Sequence, residues 1–77
     1  MNGLTKVPRE GEVYLHVNGL KYTVLCIAKD QDREEVLVIH KGEDGQIWSR
    51  TVGNFMAYKG DVPRFTLAQH FHTGGLV

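Results

Sequence analysis

Apolar residues along this chain recur at alternate positions in short runs, and each run stops at a turn signal. A period of two belongs to strands, whose successive side chains point to opposite faces. The clearest run is Glu12 to Ala28, broken once by Asn18-Gly19. Asn-Gly is the strongest two-residue hairpin signal, because both central residues of a type I′ turn need positive φ. A hairpin closed there sets Val17 opposite Leu20, Leu15 opposite Tyr22 and Val13 opposite Val24. That register gathers six mostly apolar residues on one face and leaves Tyr14, His16, Lys21 and Thr23 on the other.

Asp30-Gln31-Asp32-Arg33 forms the next turn, followed by Val36-Leu37-Val38-Ile39. Pairing Lys29 with Glu34 puts Leu37 and Ile39 beside Cys26 and Val24 on the core face. It leaves a second apolar patch of Leu25, Ile27, Val36 and Val38 that needs a cover. Phe55, Met56 and the last strand are candidates, and a homodimer is another way to cover it. A second hairpin signal, Asp44-Gly45, leads into Ile47 to Thr51; pairing Glu43 with Gln46 sets Lys41 opposite Trp48 and His40 opposite Ser49.

Residues 52–58 are too few for a long helix and read as a helical turn, residues 59–63 as a further turn in which Pro63 keeps its neighbour extended. Arg64 to Ala68 completes five short strands. The expected fold is all-β: a small five-stranded SH3-like barrel over residues 11–68, with a short helical turn before the last strand. Residues 1–10 and 69–77 read as flexible flanks.

Composition narrows the class. Seventy-seven residues make one domain of expected marginal stability. Nine Lys plus Arg balance nine Asp plus Glu, so the strongly basic footprint of a typical nucleic-acid binder is absent. The lone cysteine, Cys26, lies in an apolar run with no basic neighbours, which reads as a small buried thiol in a reducing compartment rather than a nucleophile. No apolar stretch approaches the ~18 residues of a membrane span and the N-terminus lacks a signal-peptide centre, so a cytoplasmic location is expected.

An ordered series of features runs from Gly11 to Leu67: Tyr14-Leu15-His16, Asn18-Gly19, Tyr22 to Leu25, Ala28, Glu35 to Val38, Ile47-Trp48-Ser49-Arg50, Phe55-Met56 and Val62-Pro63-Arg64-Phe65. The series resembles a family of small bacterial and phage proteins known as domain of unknown function 1653. The segment His40-Lys41-Gly42 departs from it, since the family more often carries Tyr and a longer, less acidic turn there. The resemblance implies an SH3-like barrel and brings no activity, substrate or cofactor.

Three constellations could carry chemistry. Tyr14 and His16, joined by Lys21, Thr23, His40 and Ser49, offer stacking and a titratable hydrogen bond in a shallow groove; as bland alternatives they simply cover the sheet. Trp48, Arg50 and Arg64 combine a stacking plate with two guanidinium forks that grip a phosphate or carboxylate, which suits a nucleotide-like or acidic ligand; alternatively Arg50 pairs with Glu35, Arg64 with Asp61, and Trp48 packs into the barrel mouth. His70 and His72 supply two imidazoles, short of the four ligands a structural zinc needs. No phosphate-cradling loop, metalloprotease helix or serine elbow is present, and Glu34-Glu35 and Glu43-Asp44 are adjacent pairs that point to opposite faces of a strand. The expectation is a non-enzymatic binding module without metal or cofactor, using Tyr14, His16, Trp48, Arg50 and Arg64 to hold a protein, peptide or small anionic ligand. The alternative is a weak nucleic-acid accessory domain.

Overall fold

A computed structural model describes residues 7–69 of the chain. Strands β1 (Val13–His16), β2 (Lys21–Lys29), β3 (Val36–Gly42) and β4 (Ile47–Thr51) form an antiparallel meander. A one-turn helix, α1 (Val52–Phe55), and a two-residue-strand hairpin, β5 (Tyr58–Lys59) with β6 (Val62–Pro63), lead to β7 (Phe65–Gln69). β7 returns to pair with β1, giving a five-stranded sheet of order β4-β3-β2-β1-β7 that curls into a half-barrel. The all-β class and the short helical turn therefore stand as read from the sequence, whereas the segment read as a turn over 59–63 is a small hairpin that turns at Gly60-Asp61. Residues 1–6 and most of the tail, with His70 and His72, lie outside the described residues.

Both hairpin loops have three residues, not two. The Gly19 N–H donates to the His16 carbonyl at 2.8 Å, the His16 N–H donates to the Leu20 carbonyl at 2.9 Å, and Gly19 sits at φ 95°. The loop is thus Val17-Asn18-Gly19, with the glycine in the left-handed region as the extra residue of a bulge. The Asn18 side-chain oxygen accepts the Leu20 N–H at 2.8 Å and braces it. The second hairpin repeats the design: Gly45 N–H to the Gly42 carbonyl, Gly42 N–H to the Gln46 carbonyl, both at 2.9 Å, and Gly45 at φ 88°.

One extra residue slips the register by one and exchanges faces. Tyr14 is opposite Tyr22 and Leu15 opposite Lys21. Tyr14, expected on the open face, points into the core at 7% exposure, while Leu15, Val17 and Leu20 face solvent. Likewise His40 is opposite Trp48, and Lys41 opposite Ile47. A bulge between Val24 and Cys26 produces a third inversion. Val38, expected on the second patch, is fully buried; Cys26, expected inside, is exposed.

The core consists of Tyr14, Val24, Val38, Phe55 and Phe65, with Tyr22, Val52 and Leu67 packed against it. Its concave side is built from rings. Phe55 stacks on Phe65 at 4.0 Å between centroids, and Tyr14 and His40 meet Phe55 edge-on at 5.1 and 5.3 Å. The sheet presents this face because every residue on it, from Tyr14 and His16 through Tyr22, Val24, Val38 and His40 to Trp48 and Arg50, follows the shifted registers.

Candidate functional site

The curled face is not filled along its length. Above Phe55 it opens into a cleft of about 520 Å³, within the size range of small-ligand sites. Its floor and one wall are His16, Tyr22, His40 and Phe65; the other wall is Trp48, Ser49, Arg50 and Thr51 of β4 with Asn54 of α1, and Asn18 lies at the rim. The two constellations that the sequence kept apart therefore meet: His16, His40 and Ser49 of the first stand around the same space as Trp48 and Arg50 of the second. Tyr14 does not line the cleft; its hydroxyl donates to Glu12 at 3.0 Å, and burial with that carboxylate pushes its pKa upward. Arg64 lies behind the lining, close enough for its charge to act on both Arg50 and His16.

Trp48 is 51% exposed and does not plug the barrel mouth. Arg50 is oriented by its neighbours: Nη1 donates to the Asn54 side-chain oxygen at 2.6 Å, and the guanidinium carbon lies 5.5 Å from the centre of the Phe65 ring. Asn54 is itself fixed in the single turn of α1, its N–H donating to the Thr51 hydroxyl that caps the helix, at 3.1 Å. Neither Arg50–Glu35 nor Arg64–Asp61 forms an ion pair among the described residues, and the buried Nε of Arg64 has no hydrogen-bond partner.

The electrostatics follow from this. Burial, then the Arg64 charge, lowers the Arg50 pKa. His16 is lowered first by burial and further by Arg50, Arg64 and Lys59, against a raising contribution from the Asn18 side chain. His40, only 1% exposed, is lowered by burial and by Arg50 and His16, with Val38 acting the other way. No carboxylate is among the groups that act on these three side chains.

Both imidazoles are therefore held neutral, and stability inherits a pH dependence. A histidine whose folded pKa lies below its unfolded value of about 6.5 contributes stability in full above that value and loses it as pH falls towards the folded pKa. The melting temperature is expected to decline between about pH 7.5 and 5.5. A melting temperature unchanged over that interval, measured by circular dichroism, would contradict the neutral pair.

The sequence did not mark Tyr22, Phe65 or Asn54. Tyr22 is recoverable from the same alternation once the first loop is counted as three residues; Asn54 matters only through a helix cap that joins β4 to α1.

Fold and site together define a small all-β half-barrel with a cationic, ring-lined cleft on its concave face. Residues 12–67 match the family model described as protein of unknown function (DUF1653), and the chain belongs to that family. No curated protein and no solved structure matches it. No helix among the described residues is long and apolar enough to cross a membrane.

Proposed function

We propose that the protein is a non-enzymatic binding module, an SH3-like barrel that holds a small anionic ligand in its concave cleft. The SH3-like reading is supported by the meander whose last strand returns to the first. The observation that carries the binding reading is the cationic character of the cleft: Arg50 lines it with no carboxylate among the groups that act on it, and the charges of Arg64 and Lys59 add to its own at His16. A guanidinium with no ion-pair partner is a strong donor to phosphate and carboxylate oxygens, and a half-exposed indole on the same wall gives the ligand a surface to lie on. An anionic segment of a protein or peptide partner could present the same chemistry.

A ligand of the native state must raise its melting temperature. In a low-salt thermal-shift screen with inorganic phosphate, citrate and sulfate, at least one is expected to raise the melting temperature. Arg50→Gln should weaken that binding roughly tenfold or more, since a charge-assisted hydrogen bond contributes about 1.5–3 kcal/mol. No shift in the parent protein, or a shift that Arg50→Gln leaves intact, would remove this reading. The second reading, a nucleic-acid accessory domain, is favoured by one feature, the alternation of rings and cations that suits stacked bases beside a backbone. Binding to a single strand without a salt-dependent slope would exclude it.

A further inference from the structure

The two cleft histidines are fixed as opposite tautomers by what their Nδ1 atoms face. His40 Nδ1 lies 3.0 Å from the Val38 carbonyl. A carbonyl oxygen carries no proton, so Nδ1 must donate, and Nε2 of the neutral ring is a bare acceptor. At His16 the relation is reversed. Its Nδ1 accepts the Asn18 N–H at 3.0 Å, so the proton of the neutral ring sits on Nε2, which becomes a donor. Neither Nε2 has a hydrogen-bond partner among the described residues, and both rings line the same cleft. The tautomers come from loop and strand geometry, and the lowered pKa values keep both rings neutral near pH 7.

A carboxylate or a fully ionised phosphate monoester by itself does not satisfy this wall. It accepts only: it suits His16 and Arg50 but places an electron pair against that of His40. The occupant must bring a donor beside an acceptor as well as a negative charge. Tyr22 and the half-exposed Trp48 bring planar rings to the lining, so a flat ring fits better than a puckered one.

We propose that the cleft takes a nucleotide, with the donor and acceptor of the base edge met by His40 Nε2 and His16 Nε2–H and the phosphate held by Arg50. This rests on the anion-binding reading above and adds to it the identity of the ligand class. A free nucleotide and one residue of a strand share this recognising chemistry, and the experiment separates them.

Calorimetry at low salt and neutral pH tests it with AMP, GMP, CMP, UMP, ribose 5-phosphate, inorganic phosphate, an acidic acetyl-Asp-Glu-Asp-amide peptide and octauridylate. At least one mononucleotide is expected to bind about tenfold or more tighter than ribose 5-phosphate, as expected for a base that stacks. Methylating the donor of its base edge (N3-methyl UMP, N1-methyl GMP, N6,N6-dimethyl AMP or N4,N4-dimethyl CMP) should remove most of that advantage. His40→Leu should do the same; if that variant does not fold, the methylated ligands decide alone. Octauridylate binding more tightly than UMP, with a steeper salt slope, identifies a strand as the source, and equal binding identifies the free nucleotide; both keep the inference. Ribose 5-phosphate or the peptide binding as tightly as every nucleotide, or methylation without effect, overturns the base reading and leaves the anion site standing. Binding by none of the probes overturns both.

Discussion

Phe55→Ala is expected to leave the protein largely unfolded at 37 °C. Phe55 is fully buried, and its ring is the hub of the interior: stacked on Phe65 and met edge-on by Tyr14 and His40. Truncating a buried phenylalanine costs about 3–5 kcal/mol in lost transfer and residual cavity. A core of this size supplies rarely more than about 3–5 kcal/mol of net stability, so the loss is comparable to the whole. The surroundings have little means of collapsing into the space, since Phe55 is delivered by a one-turn helix pinned at Thr51 and the opposing strands are fixed by the sheet. Phe55→Leu, which keeps most of the volume, should lose clearly less. Thermal and urea melts followed by circular dichroism check both variants. An alanine variant within about 1 kcal/mol of the parent would mean that the ring stack is not what holds the half-barrel closed.

The same interior shows what is legible in the sequence. Strand positions follow from β-branched and aromatic runs between turn residues, and Ile47–Thr51 is delimited to the residue. The helical turn follows from the short interval between Thr51 and Lys59. What the pattern does not carry is the phase of one strand against the next. Three local features set it: Gly19, Gly45 and the bulge between Val24 and Cys26. Asn-Gly and Asp-Gly are compatible with both a two-residue loop and a three-residue loop ending in a left-handed glycine, and the choice reverses every side chain of the adjoining strand. The two-residue register at Asn18-Gly19 sorts apolar from polar residues cleanly, which is its whole attraction. The folded chain instead leaves Leu15, Val17 and Leu20 in solvent, and puts Tyr14 in the core and His16 in the cleft. The bulge carries no glycine or proline to announce it. For the site, His16, Trp48 and Arg50 can be singled out because rings and guanidiniums are the side chains that bind; that they share one cleft depends on the registers.

Gly19→Val is accordingly expected to cost about 1–3 kcal/mol, the range for forcing a branched L residue into a sparsely populated backbone region. A side chain there meets no obstruction, since beyond the adjoining residues no atom lies within 4 Å of the place a Cβ would take, so the whole loss is backbone strain at φ 95°. The chain cannot escape by adopting the two-residue turn, because a type I′ loop also needs positive φ at this glycine. Asparagine tolerates the left-handed region better than other L residues, so Gly19→Asn should lose about 1 kcal/mol or less, placing stability in the order Gly, Asn, Val. Urea denaturation measures the series. Equal losses for Asn and Val would mean that the glycine is kept for a reason other than its dihedral angle. Binding adds an independent readout. The loop also supplies the Asn18 N–H that fixes the His16 tautomer, so Gly19→Val should weaken nucleotide binding even where the protein remains folded. Gly45→Val, with the same strain at φ 88° in a loop that supplies neither Nδ1 partner, should lower stability and spare the tautomers.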